Sequence, residues 1–201
     1  MLNRIALSWS GGKDSCMALH ELKKAGHDVA CLVTTVPTET GRTFAHDEKT
    51  ERIQAQAEAL GIPAEFIHCT FETYTKDFTE QLMDLKLRYE LDSIAFGDMY
   101  LEGHREWGES LAQAAGLTSL YPIWGEEHES MDGLKRFIHT GYKAEVMRVR
   151  KDALPESWVG RLLDESFIRD IAKKPVCPMG ESGEYHTFVF DGPLFRHPVQ
   201  R

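Results

Sequence analysis

Residues Ser10-Gly11-Gly12-Lys13-Asp14-Ser15 join a short apolar run, Arg4 to Trp9, to a stretch with Cys16, Met17, Leu19 and Leu22 at helical spacing. This junction constrains the chain more than any other feature. It predicts a buried strand feeding a glycine turn that opens a helix over Lys13 to about Ala25. Adjacent glycines let the backbone turn tightly and approach a ligand where a Cβ would clash. Amides at the start of a helix lack intrahelical acceptors, and the helix dipole adds partial positive charge there. Such a concave row of N–H groups suits a phosphate. Lys13 adds a cation, and Asp14 and Ser15 add oxygens suited to Mg²⁺ or to capping.

Two familiar phosphate loops are excluded by spacing. Gly-x-x-x-x-Gly-Lys-Ser/Thr is absent, and so is Gly-x-Gly-x-x-Gly. The six residues instead resemble the PP-loop, Ser-Gly-Gly-x-Asp-Ser, of the ATP pyrophosphatase superfamily. That resemblance implies cleavage of ATP between its α and β phosphates, the adenylyl group activating an oxygen of a second substrate.

Composition narrows the classes. With 201 residues the chain suits one domain, or one with a small appendage. A formal charge of -9 argues against nucleic acid as the main partner, since such binders carry a basic face. The longest apolar runs fall well short of a membrane span, and no signal peptide is apparent at the N-terminus. Cys16, Cys31, Cys69 and Cys177 are scattered without a Cys-x-x-Cys pair, the pattern of reduced thiols in a cytoplasmic protein.

Apolar strand patterns alternate with helical ones as far as residue 122. Strands are expected at 4–9, 28–35, 64–69, 93–98 and 117–121, with helices at 13–25, 48–60, 74–89 and 106–115. This order is α/β with one five-stranded parallel sheet. Beyond Pro122 come a helix over 130–140, a strand over 142–149, helical stretches at 156–163 and 165–173, and a last strand over 185–190. We read residues 1–122 as the ATP-binding domain and 123–201 as a smaller α+β substrate-binding cap lying over the strand ends.

Ligands of open parallel sheets sit beyond the carboxyl ends of the strands. Val33, Thr34 and Thr35 end the second expected strand and are candidates to lie against adenine. After the fourth come Gly97, Asp98, Glu102, His104 and Arg105: Gly97 for close approach of a nucleotide, the acids for Mg²⁺ or a proton, His104 and Arg105 for phosphate or a carboxylate. A charged loop opening a helix is the plainer alternative. The run Gly180-Glu181-Ser182-Gly183-Glu184-Tyr185-His186-Thr187 gathers acids, glycines, Tyr and His, and suits a site for an amine or a metal. His46 lies in a loop fit to cover a substrate, beside Asp47 as a helix cap. Glu126-Glu127-His128-Glu129 reads as a solvated loop.

Taken together, Ser10–Cys16, Leu120–Trp124 and Gly180–Pro193 resemble the diphthine–ammonia ligase family of PP-loop ATPases. The chain has Ser182 where the family usually has Gly, and Gly97–Arg105 resembles a bacterial-type branch described as adenine nucleotide α-hydrolase-like. The resemblance implies a HUP-type sheet, ATP and Mg²⁺ as cofactors, and adenylation of a carboxylate that ammonia then converts to an amide. The carboxylate belongs to a small molecule or a protein, and a homodimer is compatible with either. In that scheme Ser10, Gly11, Gly12, Lys13 and Ser15 hold phosphates, Asp14 and Ser15 hold Mg²⁺, and Lys13, Arg105 and Asp98 act on the phosphoryl group. Glu181 or Glu184 binds ammonium and assists its deprotonation, while His46, Glu102, His104 and Tyr185 line the acceptor. Two alternatives stay open: a tRNA-modifying PP-loop enzyme, disfavoured by the lack of paired cysteines, and a nucleotide sensor without turnover.

Overall fold

The computed structural model describes residues 3–38, 42–43 and 48–201. His46 and Asp47 lie outside the described residues. Along the chain the elements are β1 (Arg4–Ser8), α1 (Lys13–Lys24), β2 (Asp28–Pro37), α2 (Thr50–Leu60), β3 (Ala64–Cys69), α3 (Tyr74–Tyr89), β4 (Ser93–Ala95), α4 (Glu102–Ala114) and β5 (Thr118–Leu120). They are followed by α5 (Ser130–His139), β6 (Lys143–Val149), α6 (Glu165–Ile171) and β7 (Tyr185–Asp191). The first five strands form the expected α/β parallel sheet, in the order β3-β2-β1-β4-β5, and β6 and β7 pair antiparallel.

Alternation along β1 sorts the core into two layers, because successive side chains of a strand point to opposite faces. Ile5, Leu7 and Trp9 meet Cys16, Met17, Leu19 and Leu22 of α1 and Ile53, Ala57 and Leu60 of α2. Ala6 on the other face joins Phe78, Leu82 and Leu85 of α3 and Leu111 and Ala112 of α4. The C-terminal segment adds to the first layer: Phe137, Tyr142, Val146, Phe167, Tyr185 and Val189 belong to the same buried cluster as α1 and α2. It therefore packs flat against those helices, and its 177–187 segment reaches the strand ends.

Several expected elements differ, among them β4, which covers only Ser93–Ala95 of the expected 93–98. β2 runs to Pro37 because β3 pairs with it from Leu32 to Pro37, which places Val33 and Thr34 inside the strand. α4 starts at Glu102, where the amides of His104 and Arg105 both donate to the Leu101 carbonyl and Glu102 supplies the acid favoured in a first turn. The expected helix at 156–163 is only a 3-10 turn, Glu156–Trp158. Its remainder runs along β6, with Val146 donating to Arg161 O, Gly160 to Val146 O and Leu163 to Ala144 O.

One polar side chain ties the two parts together. Gln56 on α2 is fully buried; its Oε1 accepts from Trp9 Nε1 (2.9 Å), and its Nε2 donates to Gly11 O (2.9 Å) and Val189 O (2.6 Å). The indole can only donate and the carbonyls only accept, so this is the one amide orientation that satisfies all three. Gln56→Leu leaves Trp9 Nε1 and Val189 O without this partner in a dry site. The expected loss is about 2–5 kcal/mol of stability, read from urea unfolding at constant m; a loss within error of zero would show that Gln56 does not join the parts.

Candidate functional site

The sheet order sets the site. The chain moves outward from β1 through β2 to β3, then returns to β4 on the other side of β1. Such a reversal opens a crevice beyond the carboxyl ends of the two strands that flank it. Here these are β1, followed by Ser10–Ser15, and β4, followed by Gly97 and Asp98. A cavity of about 540 Å³ occupies the crevice, lined among others by Ser10, Lys13, Asp14, Ser15, Gly97 and Asp98, with Glu181 and Tyr185 closing it from the C-terminal segment. That volume lies within the usual range for small-molecule sites.

The glycine loop is held from several sides. Gly11 has φ +80°, and a Cβ there would meet Gln56 Oε1 and Ile53 Cδ1, each at 2.8 Å. Its carbonyl also accepts from Val189 N (2.9 Å). Gly12 N donates to Ser10 Oγ (3.3 Å), and Lys13 N donates to Thr187 Oγ1 (3.0 Å). Ser15 Oγ donates to Gly12 O (3.1 Å) and lies 3.2 Å from Ser10 Oγ. Gly97 packs so closely on the start of α1 that a Cβ would come within 2.9 Å of Ser15 N, a backbone atom with little room to yield.

Charge in the cavity is lopsided. Lys13 is buried, its Nζ 2.9 Å from Asp14 Oδ2 and 4.9 Å from the centre of the Tyr185 ring. Tyr185 is fixed by donating its hydroxyl to Pro178 O (2.6 Å). The other oxygen, Asp14 Oδ1, is buried without a hydrogen-bond partner. Burial raises the Asp14 pKa, and nearby Asp98 adds to this against the pull of Lys13. Glu181 accepts from Met99 N (3.0 Å), yet burial first, and the Asp14 charge second, push its pKa up to about 7. His104 Nδ1 lies 2.9 Å from Asp98 Oδ1, and this hydrogen bond raises the histidine pKa. Ligand atoms of Asp98, His104 and Glu181 all lie within 4.8 Å of one another. Three carboxylates around one buried lysine leave room for a cation, and the partnerless Asp14 oxygen fits Mg²⁺, a hard ion that prefers carboxylate and phosphate oxygens.

The remaining expected residues are spread more widely. Thr34 Oγ1 donates to Trp9 O (2.7 Å) and Val33 belongs to the α3–α4 layer, so both are turned into the protein. Thr35 Oγ1 lies 3.3 Å from Tyr74 Oη. None of the three lines the cavity. Arg105 is directed toward Glu109 (2.8 Å) and the Trp124 ring (5.1 Å), and Glu102 is exposed on the first turn of α4; neither lines the cavity. Glu184 is buried on the far side of its loop and lines a different cavity. Sequence reasoning left out Thr187 and Gln56 as holders of the loop. Thr187 was visible in the acidic glycine run, whereas nothing local marks Gln56. His186, also at the cavity, has its pKa lowered to about 4, by burial first and then by Lys13, so it stays neutral near pH 7.

These features define a doubly wound α/β protein with a glycine turn at its switch point. Residues 3–119 match the model of the diphthamide synthase N-terminal domain, and residues 129–200 match that of the C-terminal domain. The chain belongs to the diphthamide synthase family. It is 28% identical to the human diphthine–ammonia ligase over 98% of this chain and 82% of that protein. With the Schizosaccharomyces pombe diphthine–ammonia ligase it shares 29% identity over 94% of this chain, which spans about a third (34%) of that longer relative. A solved structure described as a predicted subunit of tRNA methyltransferase from Methanocaldococcus jannaschii superimposes with a TM-score of 0.46 at 17% identity, over 74% of this chain and 80% of that one.

The raised Glu181 pKa gives a signed pH effect. The folded state holds this proton up to about pH 7 and the unfolded chain only to about 4.5, so the stability contribution falls as pH rises through that window. Glu181→Gln, which keeps an acceptor for Met99 N, is expected to melt with the parent at the acid end and above it at about pH 8. Thermal melts across the window check this; parallel curves would mean that another group titrates.

Proposed function

We propose that the chain is an ATP-dependent amide-forming ligase of the diphthine–ammonia ligase type, releasing AMP and pyrophosphate. The observation that carries the reading is the junction of the Ser10–Ser15 loop with Glu181, Tyr185 and Thr187 in one cavity at the sheet's switch point. Membership of the diphthamide synthase family and relatives named diphthine–ammonia ligase support it. In this reading residues 1–122 supply the loop that holds ATP, and 123–201 close the same cavity and supply the acceptor side.

In this reading the Ser10–Ser15 loop holds the phosphates, and Lys13 offsets charge that develops on the phosphoryl oxygens as the acceptor carboxylate attacks the α phosphorus. Lys13 is already desolvated, its Nζ held between Asp14 and the Tyr185 ring. Asp14, with Asp98 and Glu181 beside it, would hold Mg²⁺; when bound, that ion neutralises phosphate charge and orients the leaving pyrophosphate. Ammonia then displaces AMP from the acyl adenylate, and the amide C–N bond forms as the acyl C–O bond breaks. The acceptor is a carboxylate of a small molecule or a protein.

Thiolation by a pair of reactive cysteines is disfavoured, since Cys177 alone of the four is not buried. Cys16, Cys31 and Cys69 are buried, and burial raises their pKa values, to about 12 for Cys31 and about 11 for Cys69. Thiols held protonated in a core are poor nucleophiles.

The test is product analysis with ATP labelled at the α phosphate, ammonium, Mg²⁺ and a metabolite pool. Labelled AMP is expected, and Lys13→Ala, checked for folding by its melt, should lower its rate about 10–150-fold, the loss of one charge-assisted contact of about 1.5–3 kcal/mol. ADP as the product, or an unchanged rate in the variant, would overturn the reading; binding without turnover would favour a sensor.

A further inference from the structure

Three side chains from distant parts of the chain converge in the crevice: Asp98 after β4, His104 on the first turn of α4 and Glu181 in the 177–184 loop. All three line the same cavity as the glycine loop. Backbone contacts bring them together. Met99, next in the chain to Asp98, donates its amide to Glu181 Oε1 (3.0 Å), which ties the C-terminal loop to the turn after β4. Two turns in succession shape that loop: Gly180 N donates to Cys177 O (2.9 Å) and Gly183 N to Gly180 O (3.0 Å). Arg150 braces it by donating from Nη1 to Ser182 O (2.6 Å). Glu181 Oε2 makes no hydrogen bond among the described residues.

Two carboxylates this close repel each other unless a cation lies between them. Lys13, the buried cation of the cavity, is engaged elsewhere, with Asp14 Oδ2 at 2.9 Å and the Tyr185 ring. Ligands about 2.1 Å from an ion and at right angles stand about 3.0 Å apart. Asp98 Oδ1 and His104 Nδ1 are 2.9 Å apart. An ion can reach them from the cavity, since their side chains are 26% and 58% exposed. The donor set decides which ion. Mg²⁺ is hard and is met by oxygen. Imidazole nitrogen suits Zn²⁺ and Fe²⁺, and carboxylates suit Mn²⁺ as well. Asp14 is outside the group, and in the ligase reading its unpartnered Oδ1 belongs with the Mg²⁺ that accompanies ATP. The group of three is complete without a nucleotide.

We propose that Asp98, His104 and Glu181 form a site for a first-row divalent transition ion, filled without nucleotide and distinct from the Mg²⁺ of ATP, with His104 setting the preference over Mg²⁺. Each carboxylate has two oxygens, so Asp98 and Glu181 can stand between this ion and the one beside Asp14. Three protein ligands leave positions on the ion open to the cavity, where water or a substrate oxygen binds. His104 thus becomes a metal ligand rather than a lining of the acceptor.

The test is Mn²⁺ binding to the full chain without nucleotide, followed by electron paramagnetic resonance. Loss of the free-ion spectrum reports binding, and nitrogen modulation of the spin echo reports a ring nitrogen on the metal. Binding with nitrogen coupling is expected; equimolar Zn²⁺ should displace the Mn²⁺, and equimolar Mg²⁺ should not. His104→Gln, at an exposed position on α4, should abolish the coupling and weaken binding about tenfold or more. Asp98→Asn should weaken it similarly while the coupling of the ion still bound persists. Zn²⁺ should also raise the melting temperature of the parent but not that of His104→Gln. No binding without nucleotide, binding without nitrogen coupling, coupling that survives His104→Gln, or displacement by equimolar Mg²⁺ would each overturn the assignment. No part of the measurement uses ATP or turnover, so failure of the metal site and failure of the ligase reading are told apart.

Discussion

The structure depends on one buried amide. Gln56 makes three hydrogen bonds in a site without solvent, and its partners come from the end of β1, from the glycine loop and from β7. An unsatisfied amide there would cost more than most single contacts in the core contribute. The arrangement therefore fixes Gly11 in its left-handed turn and the C-terminal hairpin against α1 and α2 at once. Position of the phosphate loop and position of the C-terminal loop become a single variable. That is why Lys13 N finds Thr187 Oγ1, 174 residues away, at 3.0 Å.

From this follows the electrostatic character of the crevice. Closing the C-terminal segment over the switch point desolvates Lys13 and Asp14 and adds Glu181 to two aspartates already nearby. Negative charge exceeds positive, so the closed site retains protons or takes up cations. A triphosphate brings more negative charge, which the loop dipole, Lys13 and a metal would have to balance together. The same excess explains why Glu181 titrates near neutrality although it receives a backbone hydrogen bond.

The architecture was legible in the chain because its signals are local. Strand and helix periods and the PP-loop hexapeptide each act over a few residues, and they fix element type and order. The misreadings have non-local causes. β2 outran its expected end because β3 pairs with it as far as Pro37, so Val33 and Thr34 do not stand at the strand's end. The 156–163 segment has a helical composition, yet β6 offered its backbone groups better partners than a helix would. Arg105 has the chemistry to meet phosphate, but it is directed onto Trp124 and Glu109.

By itself the sequence determined that a glycine turn follows a buried strand and opens a helix, that the sheet is parallel α/β, and that acids gather near residue 181. Local sterics and periodicity suffice for those. Only the tertiary structure decided that β1 and β4 are neighbours, that Asp98 and Glu181 meet around Asp14, and that Glu181 and Glu184, three residues apart, face different cavities. The physical reason is that side-chain direction in a loop is set by turns, and those turns are held by residues distant in sequence: Arg150 for this loop, Gln56 for the whole assembly.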